Sequence, residues 1–121
     1  RWHNEEHLPV WAAGNAYLGG AKQWKKETNC FVNKKAKVKV ELKEKNGKFY
    51  LDTNLYEILG DYTAGIVDSD LLGKAFQPEQ RFENPDGSAI TFDRDYFGDT
   101  RGIQAVPGPF VSKASLKKSL W

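Results

Sequence analysis

Val38-Lys39-Val40-Glu41-Leu42-Lys43, then Asn46-Gly47, then Phe49-Tyr50-Leu51-Asp52-Thr53-Asn54-Leu55: this stretch decides how the chain is read. Val38, Val40 and Leu42 alternate with charged residues at the period of two that a strand requires. Asn46-Gly47 is the strongest short-range signal for a type I′ turn, because both central residues need positive φ. With those two residues as the loop, Leu42 falls opposite Leu51, Val40 opposite Thr53 and Val38 opposite Leu55. One face is then apolar, and the other carries Lys39, Glu41, Lys43, Tyr50, Asp52 and Asn54. Pattern, turn and register agree on an antiparallel hairpin over Lys37–Leu55 with a buried apolar face.

The neighbouring stretches point to the same class. Val10–Ala13 and Ala16–Leu18 are short apolar pieces around Gly14-Asn15, which predicts short strands and tight turns. Leu55–Gly60 reads as a strand continuation or a single helical turn. Asp68-Ser69-Asp70-Leu71-Leu72-Gly73 has the order of a capped turn closed by glycine. Asn84-Pro85-Asp86-Gly87 predicts a turn into a short strand over Ala89–Phe92, and Val111–Trp121 a short terminal amphipathic helix. The expectation is an all-β segment with little helix, residues 1–121 forming a single unit.

Composition narrows the function classes. In 121 residues, 40% hydrophobic and 13% aromatic content suffices for a core. No run approaches the roughly 18 apolar residues of a membrane-spanning helix, so no membrane partner is expected. There is no methionine, so the expectation is a processed chain or part of a longer one. The one cysteine, Cys30, excludes an internal disulfide and reads as a small apolar residue. Lysine dominates from Lys22 to Lys48 and acid from Asp52 to Asp99. The lysine run lacks the interleaved aromatics of an RNA-reading surface, so no nucleic-acid partner is expected. No Walker A, Rossmann or G-x-S-x-G pattern occurs, and no cofactor is expected.

Two constellations carry chemistry. His3 and His7 stand four apart with Glu5 and Glu6 between them, but Asn4 occupies the glutamate place of H-E-x-x-H, so no metal is expected there. Asp93, Asp95 and Asp99 fill the first, third and seventh places of a calcium loop. Phe97 at the fifth cannot coordinate, and turn-stabilising aspartates explain the pattern more simply. Trp2, His3 and Trp11 are the candidate sugar-binding residues, since a saccharide needs a flat aromatic face and polar groups for its hydroxyls. Glu5 and Glu6 are the candidate acids. An extended strand would let only one of them face a ligand. The plainer alternative is that both tryptophans pack inward and the acids are solvated.

Leu72-Gly73-Lys74-Ala75-Phe76, Phe82-Glu83-Asn84-Pro85-Asp86-Gly87, Thr91–Arg101 and Pro107-Gly108-Pro109-Phe110 together resemble the closing segment of right-handed parallel β-helix carbohydrate-active enzymes. Asp95-Tyr96-Phe97-Gly98-Asp99-Thr100-Arg101 fits their D-x-x-G-x-x-R turn, and Gly14-Asn15-Ala16-Tyr17 is similar to their small-residue coils. Within that group the segment is similar to the β-xylosidases of glycoside hydrolase family 120, whose helix carries an inserted β-sandwich. Pro107–Phe110 departs from the commoner Gly-Ala-Phe-Glu ending. The resemblance implies the C-terminal coils of a parallel β-helix glycoside hydrolase acting on plant poly- or oligosaccharide. Its partners would be carbohydrate and the remainder of a longer chain or a partner segment, and its catalytic acids would lie on central coils outside this stretch. A non-catalytic carbohydrate-binding β-domain and a structural or interaction module using the lysine-rich hairpin are the alternatives.

Overall fold

A computed structural model describes residues 12–75 and 77–121. The hairpin is its longest regular element. β3 (Val40–Lys45) and β4 (Lys48–Thr53) pair antiparallel, Val40 facing Thr53 and Leu42 facing Leu51. Asn46 and Gly47 take φ of 53° and 73°, the two positive values of a type I′ turn.

Two features of the hairpin differ from the sequence expectation. The strands end at Val40 and Thr53, short of Lys37 and Leu55. There the Asn54 side chain takes over from the ladder: its Oδ1 accepts from Lys39 N–H at 2.8 Å and its Nδ2 donates to the Lys37 carbonyl at 2.9 Å. The apolar face is also covered on one strand only. Thr53 is buried, whereas Val38, Val40 and Leu42 remain 43%, 67% and 53% exposed. Alternation fixes which side chains share a face but not whether anything lies over it.

N-terminal to the hairpin, β1 (Ala16–Leu18) and β2 (Phe31–Asn33) pair in parallel. Each residue faces the one fifteen positions on: Ala16 with Phe31, Tyr17 with Val32, Leu18 with Asn33. Ala13 bridges to Thr28 at the same interval. Gly14, at φ 70°, brings the backbone so close to Ala64 that an added Cβ would sit 2.8 Å from the Ala64 Cβ. That contact sets this pair against β5 (Ala64–Gly65), which pairs antiparallel with β6 (Gln104–Ala105). The described residues thus form three two-stranded sheets with little helix, an all-β arrangement whose sheets do not close into a helix of coils.

The helices are short. α1 (Leu55–Leu59) buries Tyr56 and Leu59, with the Tyr56 hydroxyl meeting the Phe110 backbone, so this stretch is a helical turn. α2 (Ser69–Leu72) has the expected cap, Asp68 Oδ1 accepting from Leu71 N–H at 2.8 Å, with Gly73 closing it. The Asn84–Gly87 turn also forms, its Gly87 N–H reaching the Asn84 carbonyl at 2.8 Å. Ala89–Phe92 is not a continuous strand; it makes isolated bridges, Ala89 with Glu83 and Thr91 with Asp68. The buried Ser69 takes up the rest, donating to the Phe82 carbonyl at 2.6 Å and accepting from Ile90 N–H at 2.7 Å. The C-terminal segment forms a 3-10 turn over Lys113–Lys117 and then runs extended along β4. Leu120 N–H donates to Phe49 O at 2.7 Å, and Trp121 stacks on Phe49 with centroids 5.0 Å apart.

Candidate functional site

The N-terminal candidates Trp2, His3, Glu5, Glu6 and Trp11, and His7 with them, lie outside the described residues. Among the described residues, a polar cluster with an exposed tryptophan sits on the loop joining β1 to β2. The parallel pairing stacks Asn15 and Tyr17 beside that loop, and both reach its Glu27. Tyr17 O–H donates to Glu27 Oε2 at 2.5 Å and Asn15 Nδ2 donates to Oε1 at 2.7 Å.

These donors, the Tyr17 hydroxyl first, hold Glu27 below the usual carboxylate range against the opposing effect of burial. The same bond, followed by burial, raises the Tyr17 hydroxyl. An ionised carboxylate has about four lone-pair positions, and the Tyr17 hydroxyl and Asn15 amide take one on each oxygen. Glu27 is therefore a staple that fixes the loop, unfit to deliver a proton. What the loop presents is Trp24, with 40% of its surface exposed. An exposed indole face can stack on a sugar ring; it cannot cleave one.

The same conclusion extends to other acids. Glu27, Asp52, Glu57, Asp86 and Asp95 all ionise more readily than normal. Glycoside hydrolysis needs one carboxyl whose pKa is raised so that it can protonate the leaving oxygen. None of these five meets that need.

Asp95 illustrates the opposite use of a carboxylate. It is 9% exposed, and burial pulls its pKa up, but N–H donors of Val111, Asp99 and Phe97 and the Arg101 charge outweigh that and leave it lowered. Its Oδ1 accepts from Phe97 and Asp99 and its Oδ2 from Val111, each at 2.9 Å. Arg101 clamps the following loop, donating to the Val106 carbonyl at 2.8 Å and the Gly108 carbonyl at 2.7 Å. The D-x-x-G-x-x-R pattern is thus a backbone clasp: the aspartate collects N–H groups, Gly98 turns at φ 81°, and the arginine collects carbonyls. Asp99 meanwhile pairs with Lys118 at 2.9 Å. Among the described residues no group of three metal-ligating side chains assembles.

Sequence reasoning missed Asn15, Tyr17, Trp24 and Glu27. The available signal was Trp24 itself, an aromatic set among Lys22, Gln23, Lys25 and Lys26, where packing alone would not place it.

No family model matches the chain, and no curated protein matches it. Among solved structures it is similar to XylC, determined as a complex with xylose, at a TM-score of 0.68 and 24% identity over 80% of this chain. The chain spans only 16% of XylC's length. At that identity the likeness establishes a shared fold: this chain is built like one part of a larger protein that has been seen holding xylose.

Proposed function

We propose that this chain is the C-terminal part of a β-xylosidase-like glycoside hydrolase of family 120 type, acting on plant poly- or oligosaccharide. In this reading it supplies end coils of a parallel β-helix and contributes binding surface, with the catalytic acids drawn from elsewhere in the polypeptide unless Glu5 or Glu6 serves. The observation that carries the reading is the parallel pairing at a constant fifteen-residue interval from Ala13 to Leu18. One such parallel step is what two stacked coils would make, at an interval shorter than the roughly 20–45 residues usual for a solenoid repeat. It occurs in a chain whose fold matches part of a xylose-bound protein. Xylose is the sugar a β-xylosidase releases.

A second reading is a non-catalytic carbohydrate-binding β-domain, in which the exposed Trp24 would meet the sugar and no acid is required. One pair of measurements on the natural polypeptide separates the two: hydrolysis of an aryl β-xyloside and calorimetric binding of xylo-oligosaccharides. Turnover with binding supports the enzyme, binding without turnover supports the binding domain, and neither overturns both. Trp2, His3, Trp11 and Trp24 are the residues proposed to contact sugar, with Glu5 and Glu6 the candidate acids in this chain. If alanine at Glu5, Glu6 and His3 leaves turnover and affinity within about twofold, the reacting centre lies outside the segment.

A further inference from the structure

Most charged side chains around the hairpin and C-terminal turn are matched. Lys39 and Lys43 engage Asp52 and Glu41, Lys113 engages Glu57, and Lys118 engages Asp99. Three lysines depart from that pattern. Lys45, Lys48 and Lys117, with Asn46 and Tyr50, line an open cleft of about 620 Å³ at the hairpin tip, and no ion pair among the described residues engages any of the three. Such a volume suits a ligand of a few sugar rings.

The fold brings these charges together against their mutual repulsion. The hairpin register sets Lys45 directly opposite Lys48, a like-charge pairing that weakens a ladder. Glu44, next in sequence, points to the other face of β3. Asp52 and Glu41 share the lysines' face but are engaged further along it by Lys39 and Lys43. Lys117 arrives from a distant part of the sequence because Leu120 and Trp121 fasten the C-terminal segment along β4. The cleft therefore gathers three positive charges beside the ring and hydroxyl of Tyr50 and the amide of Asn46.

We propose that this cleft binds the carboxylate of an acidic sugar, a uronic acid carried on an oligosaccharide. Lysine ammonium groups act as point charges for an anion. The flat Tyr50 ring and the Asn46 amide suit a pyranose better than a bare phosphate. The saccharide half of the inference rests on the carbohydrate reading above; the anion half rests on the lysines alone.

Calorimetry on the natural polypeptide with three probes tests it: a xylo-oligosaccharide bearing a glucuronic acid branch, the same oligosaccharide without the branch, and inorganic phosphate. The branched sugar should bind about tenfold tighter than the neutral one at low ionic strength, with the advantage shrinking as salt is added. Replacing Lys45→Gln, Lys48→Gln and Lys117→Gln together should remove that advantage and leave neutral-sugar binding unchanged. Lys113→Gln, which removes a matched lysine, should preserve it. Equal affinity for the branched and neutral sugars overturns the proposal, as does an advantage that survives the triple replacement. Phosphate binding as tightly as the branched sugar reduces the cleft to a plain anion site and overturns its sugar half. Neutral sugar failing to bind while the branched one does counts against the wider carbohydrate reading and leaves the cleft standing.

Discussion

The hairpin and the loop cluster around Asp95 hold their backbones in opposite ways. In β3 and β4 each strand satisfies the other through a regular ladder closed by two residues, and β3 is exposed along its whole length. From Asp93 to Val111 there is almost no ladder. One aspartate, one arginine and the Tyr56 hydroxyl gather backbone groups from several loops, the hydroxyl accepting from Phe110 N–H at 3.1 Å. Phe110 at the centre is 1% exposed and stacks on Phe97 with centroids 5.1 Å apart. A ladder needs only local pattern, whereas a clasp of loops needs specific side chains buried at the crossing point. Substitutions should therefore be tolerated in the first region and not in the second.

The largest expected effect is at that crossing point. Phe110→Ala should cost about 3–5 kcal/mol in chemical denaturation, the usual loss when a buried aromatic leaves a cavity. A loss below about 1 kcal/mol would mean that the cluster is not the core it resembles.

Asp95→Ala comes next, at roughly 3 kcal/mol, since it strands N–H groups that now share a charged acceptor. Its pH dependence is a second readout. The folded pKa of Asp95 lies below its unfolded value, which is about 3.9. Its contribution is therefore complete above that unfolded value and is lost as pH falls through the lower folded one. The native protein should lose stability over that acid window, and the Asp95→Ala variant should lose less. Identical acid profiles would break the assignment.

Gly47→Val tests the hairpin where it is most demanding. A β-branched residue resists the positive φ this position holds, and the cost should be on the order of 1 kcal/mol or more. Amide exchange should show the loss of protection confined to β3 and β4.

The smallest effect belongs to Leu42→Thr. The alternating pattern marks Leu42 as core, yet it is 53% exposed. The cost should stay within about 0.5 kcal/mol, as for surface positions. A much larger loss in the natural polypeptide would reveal that another segment covers this face.

Sequence alone determined the hairpin, its turn and its register, because Asn46-Gly47 and the period of two act within twenty residues. It also determined the Asp68 cap and the Asn84–Gly87 turn, which depend on side chains bonding to their own neighbours' backbone. Tertiary structure decided everything that required distant residues to meet. Nothing local announces that Ala16 pairs with Phe31, that Glu27 collects Asn15 and Tyr17, or that Lys117 lies beside Lys48. Only packing could decide that the apolar side of β3 stays open while Thr53 on its partner is buried. Backbone preference is set by each residue and its neighbours, but burial and charge convergence belong to pairs that chain folding alone brings into contact.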